Sequence, residues 1–237
     1  MPHPTRRAAL GLALVAPAGL AGCAGMPELP IFGTLTGGWS RQGEGAVDAP
    51  DYAMAYAALP REKHRIAAFD FANVDPEYLR ADIPYAGMEG VGTIVVEPRK
   101  RLLYHVTAPG RARRYGVAVG PEARGFSGFG TVAEKRIWPE WARRVAGAAS
   151  PTMSWAQLAS APLGPAAQIP GGPRSPRGAR GLYVASGGQD TGFVIHGTPH
   201  PESVGTEVAS GCIGLINQDV IDLYDRAPEG TRVVVLA

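Results

Sequence analysis

From Gly92 onward the chain consists of short runs of β-branched and apolar residues, each closed by glycine or proline. Residues 93–96 end at Pro98, residues 102–106 follow a polar turn, and residues 115–119 alternate large with small side chains. Such alternation between turn residues is typical of β-strands. We therefore predict a meander of three antiparallel strands in this part of the chain.

The rest of the domain follows the same pattern. The 32 glycines and 22 prolines are nearly a quarter of the 237 residues, which predicts many turns and few long helices. Further strands are expected at 182–184, 193–195 and 232–236, a short helix after Asn217 as its N-cap, and a surface loop over 150–181. The predicted fold class is mainly β, a sandwich or barrel with one or two short helices.

Composition excludes several classes of protein. A hydrophobic content of 45% is too high for a generally disordered chain. A formal net charge of +2 gives no electrostatic reason to expect a nucleic-acid partner. With only Cys23 and Cys212, the chain can form neither a disulfide-stapled scaffold nor a zinc site built mainly on thiolates.

The N-terminus has the features of an export signal. Residues 1–7 are basic, and the uncharged apolar run at 8–20 is too short to span a bilayer. The sequence Leu20-Ala21-Gly22-Cys23 resembles a bacterial lipobox, in which the cysteine is lipidated and becomes the new N-terminus. Arg6-Arg7 more weakly resembles a twin-arginine signal. A plain signal peptide or a buried N-terminal helix stays open as the alternative.

Cys212 is the one thiol left for chemistry if Cys23 carries lipid. Gly211 before it lets a substrate or another backbone approach closely. The helix expected near Asn217 would bring amide dipoles that favour a thiolate. A lone cysteine is more often a buried structural residue, and on composition alone that alternative stays open.

His196 provides a partner for this thiol. It ends the expected strand 193–195, and the fifteen residues between it and Cys212 contain prolines and glycine that let the chain loop out and return. A Cys–His pair is the minimum for nucleophilic acyl transfer, because the imidazole takes the thiol proton and the sulfur attacks a carbonyl carbon. The N–H groups of Gly211 and Cys212 are the candidate oxyanion donors. The remaining histidines are poorer candidates: His3, His64, His105, expected on the pleat surface, and His200, expected in solvent.

These motifs together resemble the L,D-transpeptidases, the YkuD-like family. Ile195-His196-Gly197-Thr198 followed by Ser210-Gly211-Cys212-Ile213 is similar to the family's active-site signature. Other stretches match in the family's order: the strands at 92–96 and 114–120, Trp138-Pro139-Glu140-Trp141, Gly178-Ala179-Arg180, and the closing helix and strand from 219 to 235.

The resemblance implies a β-sandwich catalytic domain that acts on peptidoglycan stem peptides. Cys212 would attack the carbonyl of the third stem residue and expel the terminal D-alanine, leaving a thioester. An amine of another stem, a lysine of an anchored protein, a free D-amino acid or water would then accept the acyl group. His196 would be base and acid, and the Gly197 carbonyl would orient it. Substrate contacts are expected from Ser210, Thr198 and Arg180, and neither a metal nor a cofactor is implied.

Two departures from the family pattern stand beside the active-site residues. Val194 and Gly214 occupy positions where relatives carry arginine. Charge-assisted contacts to a carboxylate contribute about 1.5–3 kcal/mol each, and Arg143, Arg144 or Arg180 are the candidates to replace them. The loss favours an alternative, a catalytically weak peptidoglycan-binding lipoprotein of the same fold. A secreted thiol protease of another fold is the third reading, which would need an Asn or Asp to orient the histidine.

We therefore expect four segments: a signal peptide with lipobox at 1–22, a lipid-anchored tether at 23–50, an N-terminal extension packing on the domain at 51–91, and an L,D-transpeptidase catalytic domain at 92–237. The expected location is the periplasm. The anchor is the lipid on Cys23, and Ala24 resembles the outer-membrane sorting pattern of Gram-negative lipoproteins.

Overall fold

The structure is a computed structural model that describes residues 47–144, 166–208 and 211–237. The signal peptide 1–22, Cys23, nearly all of the expected tether 23–50, and Ser210 lie outside these residues. The described part holds two α-helices, α1 Tyr52–Ala55 and α2 Asn217–Arg226. Its strands are β1 Ala81–Pro84, β2 Ile94–Glu97, β3 Leu102–Ala108, β4 Arg111–Gly116, β5 Ala118–Val119, β6 Gly128–Ile137, β7 Trp141–Arg144, β8 Ala166–Ile169, β9 Arg180–Ser186, β10 Gln189–Gly197, β11 Ile213–Leu215 and β12 Arg232–Val235.

The predicted mainly β fold class is confirmed. Ten strands form one sheet in the order β1-β4-β3-β2-β12-β6-β9-β10-β11-β5, and β7 pairs with β8 separately. β8 lies inside the segment 150–181 that was expected to be a surface loop. That expectation is therefore wrong for residues 166–169, which pair with β7 in a register that puts Trp141 opposite Ile169, whereas residues 170–179 are turns and irregular backbone.

The long sheet curls on itself. β4 and β5 stand near opposite ends of the strand order, yet only Val117 separates them in sequence. Two peptide units span at most about 7 Å, so the two ends of the sheet must lie next to each other. The core is enclosed between them, and its buried side chains come from both ends of the sheet and from α2: Leu103, Tyr115, Val119, Leu182, Ile195, Ile213, Val220 and Leu223 among others.

The expected meander is present in β2, β3 and β4, which pair antiparallel in sequence order. Its third strand is not the one predicted: β4 ends at Gly116, and the chain then crosses to β5, which pairs with β11. Strand β6 was not predicted at all. The closing strand β12 lies between β2 and β6, parallel to the first and antiparallel to the second.

Helix α2 follows directly after β11, and the prediction of Asn217 as its N-cap is wrong. The N-cap residue is Ile216, without a side-chain cap, and Asn217 is the first helical residue. The Asn217 side chain instead connects two loops: Oδ1 accepts from the Ala179 N–H at 2.9 Å, and Nδ2 donates to the Thr198 carbonyl at 3.0 Å.

A buried polar network joins α2 to the segment before β1. The Tyr56 hydroxyl donates to Asp219 Oδ2 at 3.2 Å and accepts from the Arg80 N–H at 2.9 Å. Arg80 pairs with Asp219 at 3.5 Å and with Asp222 at 3.2 Å. The Gln218 amide donates to backbone carbonyls of the same segment, including that of Ala67 at 3.0 Å. Together these contacts fix the helix that follows the strand after Cys212.

Candidate active site

The pairing of β10 with β11 brings His196 and Cys212 together. The two strands are parallel, with Ile195 opposite Ile213 and His196 opposite Gly214. The segment between them leaves the end of β10 and returns beside it, so the Cys212 N–H lies 3.3 Å from His196 Nε2. Both side chains are buried, with 7% of His196 and 5% of Cys212 exposed.

The backbone fixes the tautomer of His196. Nδ1 lies 2.6 Å from the Gly197 carbonyl oxygen, which can only accept a hydrogen bond. Nδ1 therefore carries the proton, and Nε2 presents its lone pair toward Cys212. This is the tautomer that a general base for the thiol requires.

Gly211 allows this close approach. Its φ of +95° lies in the left-handed region that favours glycine. A Cβ at this position would also come within 3.4 Å of His196 Nε2. Any side chain at position 211 would therefore strain the backbone, and its Cβ would contact the imidazole.

Burial keeps both groups of the pair neutral. It raises the pKa of the Cys212 thiol to about 12, with Glu122 adding to the shift and backbone hydrogen bonds from Val194 and Ile213 opposing it. Burial also lowers the pKa of His196 to about 4, although the bond to Gly197 acts the other way. The expectation that amide dipoles would favour a thiolate is therefore wrong for the resting protein, because desolvation dominates.

The expected oxyanion donors are only partly available in this state. The Cys212 N–H donates to His196 Nε2, so it is directed at the imidazole and not into an oxyanion site. In the resting structure the Cys212 N–H is therefore not in position to bind an oxyanion, although the sequence predicted that it would be. The sequence could not reveal this, since the N–H direction depends on how the turn at Gly211 meets β10.

Arg180 forms an ion pair with Glu62. Its Nη2 pairs with Glu62 Oε1 at 2.7 Å, and its Nη1 donates to Glu62 Oε2 at 3.0 Å. Its guanidinium also lies 5.4 Å from the centre of the Tyr224 ring on α2. In the resting structure the guanidinium is thus paired with Glu62, and the expected substrate contact of Arg180 stays a prediction. The side chains of Arg143 and Arg144 lie outside the described part of the structure.

Thr198 lies beside the pair and supports the loop after β10. Its Oγ1 accepts from the His200 N–H at 3.0 Å, and its carbonyl accepts from Asn217. A Cβ added at Gly214 would lie 3.7 Å from the Thr198 Cβ, so the threonine borders the site. The expected contact between Thr198 and substrate stays a prediction.

The other described histidines lie apart from this pair. His64 packs edge-on against Trp138, with ring centres 4.9 Å apart. His200 is partly exposed and lies 3.1 Å from Glu202, on the exposed side as expected. His105 is buried with 7% exposed, so the expectation of a surface position was wrong.

The family model of the YkuD L,D-transpeptidase catalytic domain matches residues 92–235, well over half of the chain. The chain belongs to this family. The match includes His196, Gly197, Gly211 and Cys212, which the structure brings together.

Individual members of the YkuD family and one solved structure show the extent of the similarity. A putative L,D-transpeptidase from Fuscovulum blasticum is 28% identical over 153 residues, covering 62% of this chain and 70% of that protein. The putative L,D-transpeptidase YkuD of Bacillus subtilis is 44% identical over 62 residues, 26% of this chain and 37% of that protein. A Brucella melitensis structure described as a probable carnitine operon oxidoreductase is 38% identical, covers 70% of this chain and 99% of that chain, and has a TM-score of 0.41. That score is too low to support an argument, and the description concerns that protein alone.

Sequence reasoning missed one residue of this YkuD domain that borders the pair. The positive charge of Arg177 lowers the pKa of both His196 and Cys212. Burial has the larger effect on each group, lowering the pKa of His196 and raising that of Cys212. Arg177 stands directly before Gly178-Ala179-Arg180, the stretch that resembles the family pattern. No local pattern marked it, because Arg177 lies in the turn before β9, where side chains follow no regular alternation.

Two absences concern the described residues only. No group of three or more His, Cys, Asp or Glu side chains there is arranged to hold a metal ion. None of the helices there has both the length and the apolar character needed to cross a bilayer.

Proposed function

We propose that this chain is a cysteine-dependent L,D-transpeptidase that acts on peptidoglycan stem peptides. One observation carries the proposal: His196 is held by the Gly197 carbonyl in the tautomer that points a lone pair at Cys212. The family supplies the reaction class, and this geometry supplies a base and a nucleophile for it.

The proposed reaction begins with transfer of the Cys212 proton to His196 Nε2 as the sulfur attacks the carbonyl carbon of the third stem residue. The tetrahedral intermediate collapses with cleavage of the amide bond, and His196 gives the proton to the departing D-alanine amine. An incoming amine then attacks the thioester, loses a proton to His196 and releases the thiol. Because both groups rest in neutral form, the ion pair exists only while substrate is being converted.

For the oxyanion we propose a change on substrate binding. The Cys212 N–H leaves Nε2 when that nitrogen takes the thiol proton, because a protonated Nε2 no longer accepts a hydrogen bond. This N–H is then free for the developing oxyanion, together with that of Gly211. The resting hydrogen bond and the oxyanion role would thus belong to successive states of one site.

The location is also proposed from the sequence. Residues 1–22 would direct export, and lipid on Cys23 would hold the domain at a membrane facing the peptidoglycan. The acceptor stays open among another stem, an anchored protein, a free D-amino acid and water.

A carbapenem provides the direct test, because members of this family are acylated by that class on the cysteine. Intact-protein mass spectrometry of the wild-type protein should show one adduct that maps to Cys212. Cys212→Ala should show none, while circular dichroism shows that it is folded. A folded wild-type protein without an adduct, under conditions that acylate a known family member, would contradict the proposal.

A second candidate has its own supporting observation. The thiol is buried with a pKa of about 12, and positions 194 and 214 lack the arginines of relatives. Both features fit a catalytically weak protein that binds peptidoglycan. Muropeptide profiles of cells carrying wild-type or Cys212→Ala protein separate the two: 3→3 dimers, attached proteins or tripeptide stems that depend on the thiol require an enzyme.

A further inference from the structure

We propose that Arg177 binds the carboxylate of the stem peptide next to the scissile amide, taking the place of the arginines absent at positions 194 and 214. The inference rests on the proposed function for the identity of the ligand. It assigns a binding residue that the sequence motifs did not indicate.

The loop that carries Arg177 is fixed against the catalytic histidine. The Ser175 hydroxyl donates to the Pro139 carbonyl at 2.8 Å, and the Arg177 N–H donates to that hydroxyl at 3.3 Å. The next residue, Gly178, has φ +55° and packs so closely on Gly197 that a Cβ would lie 2.6 Å from the Gly197 carbonyl carbon. Arg177 is thus one residue from the backbone that orients His196.

The side chain of Arg177 lies on Tyr183. Its Nη1 donates to the Tyr183 hydroxyl at 2.6 Å, and its guanidinium carbon is 5.1 Å from the ring centre. Tyr183 pairs with Val194 across β9 and β10. Alternation along β10 puts Val194 and His196 on the same face of the sheet. The guanidinium therefore lies over the face of the active site, near the position where relatives carry an arginine.

The charge of Arg177 is available for a ligand. Within the described ranges no carboxylate forms an ion pair with it, whereas Arg180 is paired with Glu62 and Arg136 with Glu134. The side chain is partly buried, which reduces screening by solvent. Its positive charge also reaches both reacting groups, as its effects on the pKa values of His196 and Cys212 show after those of burial.

A carboxylate suits this guanidinium. The planar fork of arginine binds a carboxylate through two parallel hydrogen bonds, and stacking on a tyrosine ring limits the orientations of the fork. The D-alanine that leaves in the proposed reaction carries such a carboxylate on the same carbon as its amine. Binding it would align the scissile carbonyl with Cys212.

The test measures binding in the Cys212→Ala background, where no turnover occurs. Isothermal titration compares a stem tetrapeptide with its C-terminal amide, which lacks the charge but keeps the shape. Adding Arg177→Gln should weaken binding of the acid about ten- to hundred-fold and leave binding of the amide within about twofold. Arg136→Gln is the matched control, since Arg136 also stacks on Tyr183, at 4.8 Å, but is paired with Glu134.

Three outcomes decide the proposal. Equal losses for acid and amide would show a structural role and overturn it, as would unchanged binding of the acid. Selective loss for the acid, with partial recovery by Arg177→Lys, supports it. Turnover by the wild-type protein is measured separately, so a protein that binds the tetrapeptide through Arg177 without converting it would contradict the proposed enzyme and not the assignment of Arg177.

Discussion

At the scale of single residues, the site pairs a thiol and an imidazole that are both uncharged at rest. Burial disfavours the charged form of each, which moves the two pKa values in opposite directions, to about 12 for Cys212 and about 4 for His196. The His196 base is therefore unprotonated over a wide range of pH, and the thiol keeps its proton over the same range. Proton transfer between them has to be coupled to attack on the substrate.

This state predicts an unusually broad pH profile. Second-order rate constants for acylation of the wild-type protein by a carbapenem should be nearly constant from about pH 5 to about pH 10. They should fall only as His196 becomes protonated toward pH 4, because the base is then lost. Stopped-flow fluorescence checks this. A decline centred near pH 6.5, the ordinary value for histidine, would show that burial does not control His196.

The sequence predicts those site residues that lie in short motifs, and it does not predict contacts between residues far apart in the chain. Cys212, His196 and Gly197 lie in motifs that can be recognised from neighbouring residues. The partner of Arg180 could not be predicted, because Glu62 is 118 positions away and belongs to a segment with no clear pattern. The pKa shifts likewise depend on burial, which arises only when the sheet closes over the site.

At the scale of elements, Asn217 connects three pieces of the site. It begins α2, and its side chain holds the Ala179 backbone at the start of β9 and the Thr198 carbonyl after β10. The same side chain borders Gly197, since a Cβ there would lie 2.3 Å from Asn217 Oδ1. Asn217 therefore fixes the backbone that orients His196.

Asn217→Ala should lower both stability and activity. It leaves a buried N–H and a carbonyl without partners, which costs about 1–3 kcal/mol of unfolding free energy. Displacement of the Gly197 carbonyl should reduce the acylation rate about tenfold or more, since small misplacements of catalytic groups are costly. Urea denaturation and carbapenem acylation measure the two effects. Asn73→Ala, at an exposed position, is the control and should change neither.

Strand prediction succeeded where a short run of apolar and aromatic residues stands between turn residues. Strands β3, β9 and β10 were found because each contains such a run, at 102–106, 182–184 and 193–195. Strand β6 was missed because its pairing with β9 shifts register between Val132 and Glu134, and its C-terminal half is largely polar. The crossing from β4 to β5 was missed because local pattern does not say which strand is the neighbour.

At the scale of the whole molecule, Asp222 joins α2 to the sheet. It accepts from the Tyr115 hydroxyl at 2.6 Å and from Arg226 at 3.0 Å, and it pairs with Arg80 and Arg113. Burial acts to raise its pKa, but these hydrogen bonds and charges outweigh burial and bring the pKa to about 2. The carboxylate thus stabilises the fold.

Asp222→Asn should destabilise the protein by about 2–3 kcal/mol, because Arg80 and Arg113 each lose one of their two carboxylate partners and the Tyr115 hydroxyl loses a charged acceptor. For a chain of this size that lowers Tm by about 5–10 °C. The folded-state pKa lies below the ordinary 3.8, so the contribution is present above pH 3.8 and is lost toward pH 2. Calorimetry at pH 7 and in this acid range checks both points. Asp225→Asn, exposed on the same helix, should leave Tm nearly unchanged.

The single residue between β4 and β5 has a mechanical consequence. Val117 is bonded through its N–H to Arg101 and through its carbonyl to Gly205, so it is held on both sides where the two ends of the sheet meet. The two ends of the sheet therefore cannot separate around the core without breaking hydrogen bonds between paired strands. In the proposed reaction, the stem peptide therefore has to reach the Cys212 sulfur without any separation of β4 from β5.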